Sequence, residues 1–501
     1  MESLSETKWD VVISGTGLQQ SLLALALSRS GKKVLHVDPN EFYGAAEAAL
    51  SLQEADEWAE KHRSGDSDAA FAAAEVIRAG EGLSFSRAYS IALAPQLIHT
   101  KSDLLSQLVS SKAFRQVEFL AVGSFYIFQP SEPAGSRPSL NRIPSTREDV
   151  FSNTVIPARS KRSLMKFLKF VLAYDVEPNT DLWSPRRDEP LVDFLASEFK
   201  LDERLRAYVI TLTLSLDGAI SVGAGLAAIN RHMASMGLFG PGFAAVYPKW
   251  GGLSEIAQVG CRAGAVGGAV YMLGTGITDV QVAEESTEDL ELPLAISLSN
   301  DVSVKAKTLV QDSSNPTAGV TSLSRLTAVV NSGLSPTFEA TVEGTPTPAI
   351  SVVAFPTGYV TTDDGEVSEF PIYAMLHSSD TGECPKGQCV IYLSTVFTSS
   401  SRGLLEKALS SLLAAVADDP GDVTYLYKLH FEQRGGSASV DVNGPVVGLP
   451  SLPVDLSFND SVMDRVRAAW EVVMKGDEPA EGTEYMKFDD REGAADDDRY
   501  D

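Results

Sequence analysis

The chain has 501 residues, 44% of them apolar, enough for two or more domains around a substantial core. Its 67 acidic residues against 41 basic ones give a formal charge of −26. That excludes a general nucleic-acid binder and a constitutive partner of anionic membranes, since both need a basic surface; a basic protein partner fits. Residues 1–10 are polar and acidic, Val11-Val12-Ile13 is too short for a signal-peptide core, and no apolar run reaches the length of a membrane span. The final residues, Asp497 to Asp501, hold no prenylation cysteine, so a cytoplasmic protein is expected. Cys261 lies far from Cys384 and Cys389; three cysteines so spaced read as free thiols, and no metal is expected.

Asp10-Val11-Val12-Ile13-Ser14 reads as a short buried strand, and Gly15-Thr16-Gly17 turns the chain. A helix is predicted over 18–30, with Leu22, Leu23, Ala26 and Leu27 on one face, ended by Gly31 with Lys32 and Lys33 suited to its C-terminal dipole. Val34-Leu35-His36-Val37-Asp38 is a second strand ending in an acid. This is the βαβ opening of a Rossmann-type dinucleotide fold. Residues 45–82 are rich in Ala, Glu, Asp and Gly and read as an acidic, partly helical insertion of low complexity. A helix and then a strand follow over 102–119, and residues 130–142 read as a loop dense in Pro, Ser and Gly.

Between residues 161 and 237 the pattern becomes helical. Leu164, Phe167, Leu168 and Val171 form one apolar face, while Arg162, Lys166 and Lys169 lie together on another. Further helices are predicted over 191–199, 204–216 and 224–236. Period-two patterns resume after Tyr247 and run to about residue 397, followed by a helix over 404–416 and a strand over 423–431. The tail over 476–501 is acidic, without apolar periodicity, and is expected to be disordered.

The dinucleotide fingerprint G-x-G-x-x-G is altered. Gly15 and Gly17 are present, but Gln20 stands where the third glycine lets the helix approach the sheet and the pyrophosphate. Asp38 stands where a ribose-binding acid would stand. No flavin or nicotinamide is expected, and the loop reads as vestigial. The six histidines form no metal or triad pattern, and His36, inside a strand, reads as structural. No G-x-S-x-G elbow and no P-loop occur. No catalytic residue is assigned: a dinucleotide fold without its cofactor loop suggests a scaffold reused for binding.

Four segments in order resemble the family of GDP-dissociation inhibitors and Rab escort proteins. They are Asp10 to Leu18 continuing through Gly31 to Asp38 and Phe42-Tyr43-Gly44; Leu93-Ala94-Pro95; Arg142-Ile143-Pro144-Ser145 through Asp149-Val150-Phe151 to Leu164-Met165-Lys166-Phe167-Leu168; and Tyr247-Pro248-Lys249-Trp250-Gly251-Gly252-Leu253-Ser254-Glu255 running to Arg262 and Tyr271-Met272-Leu273. The third segment and the extra length resemble the escort branch, of fungal type; a recycling inhibitor is the alternative within the family, and a flavin-dependent oxidoreductase of the same fold the alternative outside it. The resemblance implies an α/β protein. Its large domain, residues 1–150 plus 240–475, would be a Rossmann-like FAD/NAD(P)-binding-type fold without cofactor, and an all-helical domain, residues 151–239, would be inserted in it.

The resemblance also implies a non-catalytic accessory function. The chain would bind GDP-bound Rab GTPases, unprenylated and prenylated, present them to the geranylgeranyltransferase heterodimer, and shield the geranylgeranyl lipid during transient membrane contact. The gripping residues would be Tyr43, Glu255, Arg262, Val270 and Met272, with Val270 replacing a hydrogen-bonding threonine of the recycling inhibitors. Read without the resemblance, Glu255 and Arg262 are seven apart on a helix and equally a solvated pair. Leu104, Leu105, Leu108 and Val109 are either the contact for the Rab C-terminal tail or an ordinary core stripe. Arg162, Lys166, Phe167 and Lys169 would meet the transferase or the prenyl chain, with Gly223, Ala224, Gly225, Ala227 and Ala228 leaving room between helices or marking close packing. At the position matching Gly267, mammalian-type relatives place an aromatic in the transferase contact.

Overall fold

The computed structural model describes residues 4–64, 70–131, 137–144, 147–152, 156–283, 292–313, 321–340, 342, 344–417, 421–436, 439–475 and 484–488. Its first strand, Lys8–Ser14, buries Val11, Val12 and Ile13 completely, as a strand covered on both faces must. It pairs in parallel with Val34–Val37 on one side and Ser303–Asp312 on the other. The sheet runs Val270–Met272, Val34–Val37, Lys8–Ser14, Ser303–Asp312, Leu294–Leu298, Ile277–Val282, with Val446–Leu449 also paired to Ser303–Asp312. Val270–Met272 is therefore an edge strand, parallel to Val34–Val37.

The helix Leu18–Arg29 is buried from Leu18 through Ser28, Gln19, Gln20 and Ser21 included, rather than on one face only. The helices Leu253–Val266 and Ser461–Met474 cover it. Close approach is possible because the first of these presents glycines: a Cβ on Gly260 would lie 3.3 Å from the Ser21 carbonyl oxygen.

A second sheet of ten strands includes Phe71–Arg78, Tyr425–Gly435, Thr321–Val330, Cys389–Val396, Ile372–Ser378, Ile350–Phe355, Phe119–Gln129 and Ala245–Pro248. Alternation decides its two faces. Val352 and Ala354 face the cluster that holds Phe167 and Phe194, whereas Val353 and Phe355 face the Ser401–Val416 helix. Five α-helices, from Ala158–Val171 to Val222–Ser235, pack on the first face. Tyr373 of the sheet donates its hydroxyl to the Ser215 carbonyl at 3.0 Å, tying the helices down.

Several expectations are corrected. The stretch 45–82, read as a partly helical insertion of low complexity, does hold the helix Leu52–Lys61, but it also supplies the strand Phe71–Arg78 and packs into the core; residues 65–69 lie outside the described residues. Ser51 closes a capping box on the Leu52–Lys61 helix, Trp58 of that helix meets Phe71 and Phe431 edge-on at 5.0 and 5.3 Å, and Phe71–Arg78 pairs with Tyr425–Gly435. Within 130–142, Ser139–Arg142 is a strand paired with Phe119–Gln129, because the hairpin partner satisfies its backbone. The Ser461–Met474 helix was not foreseen, although Val462, Val466, Ala469 and Val473 follow helical spacing. Of the acidic tail, residues 484–488 are ordered against the large domain; the remainder of 476–501 lies outside the described residues.

Candidate functional site

The vestigial loop is filled by the chain itself. Gly15 turns with φ +88°, and Gly17 precedes the Leu18–Arg29 helix. The amide of Leu18, one of the free donors at that helix N-terminus, donates to Glu47 Oε2 at 3.1 Å. The Gln20 amide nitrogen donates to Asp312 Oδ1 at 2.7 Å, and its oxygen would stand 2.8 Å from a Cβ on Gly17. Asp38 is spent on in-chain donors: Oδ2 accepts from the Thr16 amide and hydroxyl, both at 2.6 Å, and Oδ1 from the Asn40 amide at 2.7 Å. Burial pushes the Glu47 carboxyl up to about 8 against the Leu18 amide, which favours its charged form. His36 is structural: burial holds its imidazole down at about 4, and Nε2 donates to the Gly15 carbonyl. Glu47 and Asp312 were missed from sequence. Glu47 sat inside an apparently featureless acidic run, and Asp312 is 292 residues from its glutamine partner.

Tyr43 follows that loop, and the hydroxyl of Ser254, on the Leu253–Val266 helix, reaches its carbonyl. Glu255 opens the helix. Arg262, two turns on, is exposed, bonds to Gln258, and lies 3.9 Å from Glu255 Oε1. The Arg262 charge also acts on the Tyr43 hydroxyl, whose pKa burial raises. Val270 is exposed and Met272 half-buried on the adjoining edge strand. Tyr43, Glu255 and Arg262 thus share one surface beside an open strand edge. Glu255 itself is pushed up by partial burial, which Arg262 opposes. The helix is braced from below. Fully buried Glu383 accepts from Tyr247 at 2.8 Å and Tyr392 at 2.9 Å and pairs with His377 at 2.7 Å. Trp250, at φ +73°, packs on Gly382 next to that carboxylate. Nothing local in the sequence marks this network.

The other candidates divide. Leu104, Leu105 and Leu108, on the Asp103–Ser110 helix, are buried in the core, so of that set only Val109 offers surface. Phe167 is likewise buried, edge-on to Phe199 at 5.2 Å, because it faces inward on the amphipathic Ala158–Val171 helix; it cannot be an outer contact. Arg162, Lys166 and Lys169 are exposed on one face of the same helix. Gly267 ends the Leu253–Val266 helix against the first helix, where a Cβ would meet Ser28 Oγ at 2.7 Å, so it lies outside the helical region. Gly225 marks close packing, since a Cβ there would lie 2.5 Å from Leu191. Burial pushes the thiols of Cys261 and Cys384 up to about 12, away from reactivity.

The family model for GDP dissociation inhibitor matches residues 5–431. The chain is 30% identical to Rab proteins geranylgeranyltransferase component A of Saccharomyces cerevisiae over 77% of this chain and 61% of that relative, so it spans less than two thirds of the relative's length. In fold it is similar to Rab GDI from Plasmodium falciparum, with a TM-score of 0.65 at 18% identity covering 93% of this chain and 97% of that one. It is also similar to an oxidoreductase from Methanosarcina mazei, with a TM-score of 0.55 at 13% identity covering 92% and 99%. In dinucleotide-binding members of such folds the pyrophosphate sits at the first helix N-terminus. The residues here do not fit one: Glu47 already holds the Leu18 amide, Gln20 fills the space over Gly17, and Asp312 adds a third carboxyl beside Asp38. A match spanning residues 5–431, on a Rossmann-like fold with its dinucleotide loop closed, places the chain in the GDP dissociation inhibitor family.

Proposed function

We propose that this chain is an accessory binding protein of the escort type. It grips GDP-loaded Rab GTPases on the Tyr43–Glu255–Arg262 surface, presents their C-terminal cysteines to geranylgeranyltransferase, and shields the lipid afterwards. The carrying observation is that surface itself: two side chains able to make charge-assisted hydrogen bonds, with Tyr43 beside them and Met272 on the adjoining edge strand, above a buried brace. The gripping surface would contribute recognition, and the exposed basic face of Ala158–Val171 would meet acidic side chains of a second partner, a role we assign to the transferase. A pull-down through salt washing tests it: GDP-loaded Rab should remain bound and GTP-loaded Rab should be depleted, since switch loops reorganise around the γ-phosphate. Equal retention of both nucleotide forms, or of neither, contradicts the reading. The family model's own description favours a second reading, a recycling inhibitor that handles only prenylated Rab.

A further inference from the structure

Of the chain's five tryptophans, Trp250 stands apart. It is 54% exposed, whereas Trp9 and Trp58 are buried and Trp183 and Trp470 are half-buried. Trp9, Trp183 and Trp470 donate their indole N–H to acceptors within the chain. The indole N–H of Trp250 meets no acceptor among the described residues. Its backbone sits at φ +73°, and Gly251 and Gly252 follow at +126° and +69°. Glycine adopts such angles freely, but a bulky side chain adopts them only under strain. Packing does not explain the choice of residue, since more than half of the side chain faces solvent.

The surroundings impose this conformation and fix the ring. The Trp250 amide donates to the Thr381 carbonyl at 2.9 Å, and the Ser90 hydroxyl donates to the Trp250 carbonyl at 2.9 Å. A Cβ on Gly382 would overlap the indole, so the ring lies directly against that glycine. The Lys249 ammonium sits 5.1 Å from the ring centroid and is itself held by both oxygens of Glu118 at 3.0 Å. Held this way, the indole loses little freedom when a partner arrives. Its position is also telling. The gripping helix, Leu253–Val266, begins three residues later, and Ser254 of its first turn meets the Tyr43 carbonyl. Trp250 therefore flanks the surface formed by Tyr43, Glu255 and Arg262.

We propose that Trp250 is a further recognition residue of the gripping surface: a pre-oriented indole that packs on an apolar side chain of the GDP-loaded GTPase and donates its free N–H to that partner. The proposal rests on the function proposed above. The strain at residue 250 is the conformational cost of presenting the ring. Glycine would suit the turn and supply no contact. An exposed, clamped tryptophan beside an arginine-bearing helix has the composition of an interface hot spot.

The test sets stability against binding in the full chain. Trp250→Gly removes the ring and relieves the backbone, so its thermal midpoint should be no lower than the parent's, while GDP-loaded Rab should bind about ten- to thirty-fold more weakly. Trp250→Tyr keeps an aromatic with a donor and should bind within about three-fold of the parent. A lowered midpoint in Trp250→Gly, or unchanged affinity, overturns the proposal. If Trp250→Gly does not fold, Trp250→Asn, which also tolerates the left-handed region, takes its place, and failure of both makes the ring structural and overturns the proposal. Contact is read directly with fluorotryptophan in the full chain: the fluorine resonance missing from Trp250→Gly should shift in the parent when GDP-loaded Rab is added, and a resonance that stays put overturns the contact. Arg262→Ala, titrated alongside, separates this proposal from the function beneath it. Loss at Arg262 without loss at Trp250 overturns the proposal and leaves the function standing, whereas a parent chain that binds no Rab overturns both.

Discussion

Arg262 is the residue on which recognition should turn most visibly. Its guanidinium is half exposed, and its carboxylate neighbour stands at 3.9 Å, too far to satisfy it. Arg262→Ala should therefore weaken binding of GDP-loaded Rab by about 1.5–3 kcal/mol, the range for a hydrogen bond to a charged group. The thermal midpoint should stay put, because no core contact is lost. Unchanged affinity in a titration would remove Arg262 from the gripping surface. Glu47 makes the opposite kind of statement. Its folded pKa of about 8 lies above its ordinary 4.5, so its contribution is whole below about pH 4.5 and is lost as pH rises through about 8. Glu47→Gln should be nearly neutral at pH 5 and more stable than the parent at pH 9 by about 2–4 kcal/mol. Parallel stability curves in denaturant at the two pH values would refute this. Gln20→Gly should still yield protein without a flavin absorbance band, because Glu47 and Asp312 remain at the helix N-terminus. A stoichiometric band would contradict it.

At the scale of elements, the Ala158–Val171 helix carries two separable tasks. Its inner face holds Phe167, and Phe167→Ala should cost about 3–5 kcal/mol of stability, as for other buried aromatics. Its outer face holds Arg162, Lys166 and Lys169, and reversing those three charges should weaken lipid transfer while sparing binding of unprenylated Rab. Loss of both together would mean the stripe belongs to the Rab contact or to the fold. Elements of this kind were legible in the sequence because their signal is local. The strand, turn and helix of residues 8–29 announce themselves by apolar runs and paired glycines, and the amphipathic helices by their period. What stayed hidden depends on partners far along the chain. The strand Phe71–Arg78 is fixed by Tyr425–Gly435, and the one-sided face read for the first helix failed because two later helices bury its other sides. That Arg162, Lys166 and Lys169 share one exposed face was legible from their helical spacing. That Leu104, Leu105, Leu108 and Phe167 point inward is set by packing alone.

For the molecule as a whole, an α/β scaffold has kept the strand–turn–helix start of a dinucleotide fold and closed it with its own carboxylates. With that loop closed, the function proposed here rests on surfaces. The gripping surface at the sheet edge and the basic face of the helical region would then hold a GTPase and an acidic partner at once. An escort must manage both before lipid is attached, whereas a recycler need only hold the finished product. The most direct measurement is lipid transfer from geranylgeranyl diphosphate to unmodified, GDP-loaded Rab, with this protein and geranylgeranyltransferase supplied together or singly. Transfer is expected with both and almost none with either alone. Binding only of prenylated Rab, with no stimulation of transfer at any concentration, would contradict the escort function and leave the recycling inhibitor in its place.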